Sequence, residues 1–151
     1  MDDELRDDQL AAWEAFVYAH SAVMSRIERD MFESTTISLT WYDVLVALSN
    51  APDNRLRMGD LAESLVLSRS GLTRLVDRIA TAGLLRREDA PEDRRGTMAV
   101  ITEAGLEAVE RAWPHYANGI SQYFAHNLSP SEIRTLTAAL AKVRDQVTDA
   151  S

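Results

Sequence analysis

A mainly α fold with one small β-hairpin is what this sequence predicts, on three observations. Apolar residues recur at helical spacing in six separate segments. Two short runs, 84–88 and 97–102, read as strands on either side of the turn-rich loop DAPEDRRG. The stretch LVLSRSGLTRLVDRIATAGLLRRE, residues 65–88, gathers arginines on one short helix and the strand after it, in a chain of formal net charge -8.

Taken in order, the first helix is long and carries Leu10, Trp13, Phe16, Val17, Met24, Ile27 and Met31 at helical spacing. Thr40 with Asp43 three residues later predicts a capping box for a second helix, whose stripe is Val44, Leu45 and Leu48, with Trp41 continuing it. NAPDN at 50–54 is a turn. A short third helix over 58–65 turns Leu61, Ala62 and Leu65 inward.

Ser68 is placed to cap the fourth helix. Leu72, Leu75, Val76 and Ile79 fall at i, i+3, i+4 and i+7, one apolar stripe. Ser70, Arg74, Asp77 and Arg78 fall on the opposite side, with Arg69 and Thr73 on its flank. Gly83 stops this helix. After the hairpin, Thr102 caps a fifth helix bearing Leu106, Val109, Trp113, Tyr116, Ile120 and Tyr123, with Pro114 expected to kink it. Ser129-Pro130-Ser131-Glu132 opens the sixth with a cap, a proline at the first turn and a returning glutamate. Leu128 and Ile133 are spaced for a hydrophobic staple, and Leu136, Leu140, Val143 and Val147 continue that helix's stripe.

Composition narrows the function. A length of 151 residues suits one domain, and no apolar run approaches a membrane span. The start, MDDELRDDQLAAWE, is acidic where a secretory signal is basic, so a cytoplasmic protein is expected. With no cysteine there is no disulfide framework, zinc-thiolate site or thiol nucleophile. From Arg55 to Arg95 nine arginines face seven acidic residues, whereas the remainder holds seven basic and seventeen acidic residues. That asymmetry marks a face for an anionic partner on an otherwise acidic chain. No cofactor is expected. No glycine-rich phosphate loop, nucleophile elbow or metal-ligand cluster is visible, so the chain does not read as an enzyme. His115 and His126 lie eleven residues apart, about 16 Å along a continuous helix, too far to share one ion.

Helix, short turn, helix, then a hairpin with an arginine-bearing tip is the winged helix-turn-helix pattern. A helix with one apolar face and one face of Ser, Thr and Arg can rest on a core and enter a major groove. Short hydroxyl side chains let its backbone approach phosphates, and arginine reaches base edges. Double-stranded DNA is thus the expected partner. The competing reading is a winged-helix protein-interaction module without DNA binding.

The residues LTWYDVLVAL at 39–48, MGDLAESLVLSRSGLTRLVDRIATAGLLRRE at 58–88 and APEDRRGTMAVITEAGLEAV at 90–109 resemble the multiple antibiotic resistance regulator (MarR) family of transcription factors. The likeness rests on Leu61-Ala62, the Ser-rich opening of the fourth helix, Thr73-Arg74, Val76-Asp77, Gly83-Leu84, Asp93-Arg94-Arg95 and Ile101 to Gly105, in order over about 70 residues.

The resemblance implies a single domain over 1–151, with a winged helix-turn-helix at about 38–102 and dimerisation helices at about 8–34 and 103–149. It implies a homodimeric repressor on a palindromic operator. Ser68, Arg69, Ser70, Thr73, Arg74 and Arg78 carry over as recognition-helix contacts, and Arg94 and Arg95 as wing contacts, with Asp93 orienting Arg95 in the minor groove. It further implies relief by a small aromatic or phenolic effector, for which Trp13, Phe16, His20 and Trp41 are the candidates. The aromatic bulk of the terminal helices (Trp13, Phe16, Trp113, Tyr116, Tyr123 and Phe124) independently favours a dimer.

Overall fold

The computed structural model describes residues 5–65, 67, 69–90 and 96–149, apart from the side chains of Arg69 and Asp149. Its elements run α1 (Asp7–Ser34), α2 (Leu39–Ser49), a 3-10 turn (Pro52–Asn54), β1 (Arg55–Arg57), α3 (Met58–Ser64), α4 (Arg69–Thr81), β2 (Leu85–Asp89), β3 (Thr97–Ile101), α5 (Glu103–Tyr123), a second 3-10 turn (Ala125–Asn127) and α6 (Pro130–Asp149). This is the mainly α fold with a hairpin that the periodicity predicts. The chain divides into two compact units, Met1–Arg26 with Ala117–Ser151, and Ile27–Tyr116.

Unit Ile27–Tyr116 is organised by a three-stranded antiparallel sheet in the order β1-β3-β2. The hairpin pairs Leu85 with Ile101 and Asp89 with Thr97, and β1 adds Arg55 against Val100 on the other side of β3. The sequence reading missed β1. Three residues, Arg55-Leu56-Arg57, are too few to show a period, and β3 alone recruits them. The turn before β1 holds Asp53 and Asn54 both at φ 56, a left-handed pair that these two residue types tolerate better than most.

α2 begins earlier than predicted. Its cap is Ser38, whose hydroxyl accepts from the Trp41 amide at 3.2 Å, and not Thr40, which lies inside the helix. The helix buries Leu39, Tyr42, Val44, Leu45 and Leu48 and leaves Trp41 half-buried, so Tyr42 takes the core place expected of Trp41. On α4, Leu72, Leu75, Val76 and Ile79 are all buried, as the stripe predicts.

The end of α4 is a Schellman stop. Gly83, at φ 79, sends its amide to the Ala80 carbonyl (2.9 Å), and Leu84 sends its own to Ile79 (3.2 Å). Thr102 then ties three elements together. Its amide donates to Leu84 O (3.1 Å), its hydroxyl donates to Gly83 O (2.7 Å) and accepts from Gly105 N (3.1 Å). Gly105 is obligatory there: a Cβ would fall inside van der Waals contact of the Leu84 carbonyl oxygen and the Ile101 side chain.

Unit Met1–Arg26 with Ala117–Ser151 is built from helical segments. The predicted capping box of α6 forms in both directions: Ser129 N donates to Glu132 Oε2 (2.7 Å) and Glu132 N to Ser129 Oγ (3.3 Å). Arg26 stacks over the Tyr123 ring at 5.3 Å. α5 passes through Pro114 and ends at Tyr123, so His126 lies on the following 3-10 turn and not on the helix of His115. No helix among the described residues is long and apolar enough to cross a membrane.

Candidate nucleic-acid interface

The helix-turn-helix pairs α3 with α4, and of the residues between them Leu65 and Leu67 are described. α3 ends with Leu65 N on Leu61 O (3.2 Å), and Leu67 N reaches Ala62 O (3.0 Å), so the turn is pinned to the helix before it. α4 packs against α3 on one side and β2 on the other. Its buried stripe fixes its rotation, and that rotation decides which side chains face water.

Ser70, Thr73, Arg74 and Arg78 are exposed on the outward side. Arg74 and Arg78 lie one turn apart, and their side chains make no hydrogen bond or ion pair with any described residue. Arg69 opens the helix, with its side chain outside the description. Ser68 and the wing residues Asp93, Arg94 and Arg95 lie outside the described residues.

Asp77 adds a negative charge to this face. Its partner is Arg87 on β2, whose Nη2 stands 2.9 Å from Asp77 Oδ1 and also donates to the Thr73 carbonyl at 3.3 Å. A half-exposed pair of this kind stabilises the fold by about 0–1 kcal/mol. Its main consequence is placement. It neutralises the carboxylate between the two outward arginines and pins the hairpin to the middle of α4. Periodicity marked Asp77 as polar but could not find its partner ten residues on.

A second charge cluster lies on the sheet. Glu88 is shared, its Oε2 3.0 Å from Arg55 Nη1 and its Oε1 2.8 Å from Arg86 Nη2. This bridges β2 to β1 across β3, over Val100, which is buried. Arg55 Nε is buried with no partner among the described residues.

The effector candidates divide. Trp13, Phe16 and His20 form a run of ring contacts along α1, with centroids 6.1 and 6.4 Å apart, and all three are exposed. Trp41 belongs to the other unit. Among the described residues no group of three or more His, Asp or Glu is placed to hold a metal ion.

A family model described as MarR family matches residues 35–96. AbsC, a MarR family transcriptional regulator from Streptomyces coelicolor, has a similar structure at 31% identity and a TM-score of 0.85, covering 96% of this chain and 97% of that one. Sco3205, a MarR family transcriptional regulator from the same organism solved in complex with DNA, is similar at 28% identity and a TM-score of 0.85, over 94% of this chain and 89% of that one. The HTH-type transcriptional regulator MhqR of Bacillus subtilis is 31% identical over 104 residues, 69% of this chain and 70% of that protein.

Proposed function

Because the chain belongs to the MarR family of transcriptional regulators, we propose that it binds double-stranded DNA through α4 and the β2–β3 wing. The carrying observation is the outward pair Arg74 and Arg78 on a helix whose inner face is fully committed to the core, with the intervening Asp77 neutralised by Arg87. In this reading Ser68, Arg69, Ser70, Thr73, Arg74 and Arg78 meet the major groove, and Arg94 and Arg95, with Asp93 orienting the latter, meet the minor groove. The DNA complex of the similar Sco3205 supports the partner.

The protein acts as a homodimer and represses from a palindromic operator, since a two-fold dimer presents two wings and two recognition helices to a two-fold site. The dimerisation parts are about 8–34 and 103–149 and the winged helix-turn-helix about 38–102, one MarR-type domain in a cytoplasmic protein. Exposed Trp13, Phe16, Val143 and Val147 support a partner-covered face. A small aromatic or phenolic effector releases the DNA; the exposed rings Trp13, Phe16 and His20 on α1 are candidates for its contacts in one unit, and Trp41 is a candidate in the other.

Fluorescence anisotropy with labelled DNA from upstream of the protein's own gene tests the reading. Specific binding is expected, and Arg74→Ala should weaken it by about 1–3 kcal/mol with unchanged circular dichroism. Equal affinity for unrelated DNA of the same length, or no effect of Arg74→Ala, overturns it.

A further inference from the structure

The stem of the hairpin is tied down twice, at neighbouring positions and on opposite faces. Side chains alternate across a strand, so Arg87 and Glu88 of β2 point to opposite sides of the sheet. Arg87 turns toward α4, where it meets the Asp77 carboxylate at 2.9 Å and the Thr73 carbonyl at 3.3 Å. Glu88 turns the other way and holds Arg55 Nη1 at 3.0 Å and Arg86 Nη2 at 2.8 Å. Arg55 opens β1, and β1 runs directly into α3 at Met58. The two ties therefore fix the stem to both helices of the helix-turn-helix, one through α4 itself and one through the strand that leads into α3.

The second tie is long. β1 and β2 are the two edges of the sheet, with β3 between them, so two strand spacings, about 9.6 Å, separate their backbones. Arg55 and Arg86 both stand opposite Val100, and Glu88 stands opposite Met98, two residues nearer the hairpin tip. A glutamate and an arginine together span that gap. An aspartate, one methylene shorter, would release a partner. Arg55 is held there at a cost, its Nε buried and without a partner among the described residues.

Stability alone does not account for the bridge. Half-exposed ion pairs contribute little to folding, and a carboxylate on a DNA-binding wing repels phosphate. What the bridge supplies is direction. Past Glu88 the hairpin is held by Asp89 against Thr97 and by the Ala90 amide on Gly96 O at 2.9 Å, before the tip. Any error of angle at the stem is carried to every group beyond it.

We propose that Glu88 is a positioning residue for DNA binding, bridging Arg55 and Arg86 to aim the wing at the minor groove while Arg87 anchors the opposite face. This role rests on the reading of α4 and the wing as the DNA-binding surface.

The test is anisotropy of the full chain on one operator with A·T-rich or G·C-rich flanks, and on an unrelated duplex. Wild type should prefer A·T flanks, and Glu88→Gln should lower that preference by about threefold or more. Its affinity for the unrelated duplex should hold or rise, because a negative charge is gone. Glu88→Asp keeps the charge but not the span, so it should lose the flank preference without that gain. In an Arg95→Ala background a further Glu88→Gln should change nothing, whereas in Arg74→Ala it should act in full. Without DNA, Glu88→Gln should speed hydrogen exchange of the Ala90 amide at an unchanged melting temperature. A flank preference that survives Glu88→Gln, equal losses with and without Arg95, or unchanged exchange at Ala90 overturns the role. So does a wild type that selects its operator but ignores the flanks, which leaves the DNA-binding reading intact. A wild type that does not select its operator at all overturns that reading and the role of Glu88 with it.

Discussion

The two units of this chain treat their apolar residues in opposite ways. Every buried hydrophobic side chain among the described residues lies in Ile27–Tyr116, from Ile27 and Met31 through Val44, Leu61, Val76 and Ala99 to Ala112. The other unit exposes Trp13 (61%), Val143 (61%) and Val147 (67%), together with Leu10, Phe16 and Leu140. One unit closes a core from its own residues. The other repeats the helical pattern of a core-facing surface without closing it. An apolar stripe left this exposed supports the second copy proposed above.

The largest effect should separate the units directly. Ile79→Ala removes a fully buried side chain and should cost about 2–5 kcal/mol in chemical denaturation. Val143→Ala truncates a residue that the single chain leaves exposed. On a bare surface it should change stability by less than about 0.5 kcal/mol. On a dimer face it should cost more and make the melting temperature depend on protein concentration, because dissociation is then linked to unfolding. A concentration-independent melt for wild type and Val143→Ala alike would break the comparison as drawn, and with it the homodimer.

Next in size is Gly105→Ala. The added Cβ meets a backbone carbonyl that the Schellman stop and the Thr102 bonds hold in place, so the strain has little room to relax. A loss of roughly 1–3 kcal/mol is expected, as for other overpacked sites. A melt within a degree of wild type would mean that the junction between hairpin and α5 yields more easily than its bonds indicate.

Arg87→Ala is smaller in stability and larger in function. The lost pair should cost about 0–1 kcal/mol in denaturation. It also returns the Asp77 charge to the outward face of α4, between Arg74 and Arg78. DNA affinity should therefore fall by more than stability does. Asp77→Asn with Arg87→Ala should recover part of the loss in anisotropy, whereas a purely structural role would give no recovery.

What was legible in the sequence follows from range. The stripe Leu72, Leu75, Val76 and Ile79 is local and periodic, and it was read correctly. So were the Gly83 stop and the Ser129–Glu132 box, each complete within a few residues. The cap of α2 was misplaced because Ser38 and Thr40 are both hydroxyl residues beside the same helix, and only the backbone decides which lies outside it. β1 has no pattern of its own and exists through β3. The site divides in the same way. The outward position of Arg74 and Arg78 is a matter of helical phase, whereas Arg87 with Asp77, Glu88 with Arg55, and Tyr42 against Tyr116 join positions that no local period connects.

The smallest effects carry opposite signs in the two units, which makes pH a discriminating probe. In Ile27–Tyr116, burial raises the folded-state pKa of Asp43 above its unfolded value. Its contribution to stability is then fully present below the unfolded carboxylate range and is lost as pH rises through the raised folded value. Asp43→Asn should accordingly stabilise the protein at neutral pH, and the gain should vanish on acidification. In the other unit, the Ser129 amide, and after it the Ser129 hydroxyl, lowers the Glu132 carboxyl. That contribution is present above the unfolded range and is lost as pH falls through the depressed folded value. Glu132→Gln should therefore destabilise slightly at neutral pH, since glutamine still fits the box, and should match wild type in strong acid. Thermal melts of the two variants across pH should thus move to opposite sides of wild type at neutrality and converge with it in acid. Were Asp43→Asn to destabilise at neutral pH, the carboxylate would have a favourable partner in the assembled protein, and burial would not be what governs its titration.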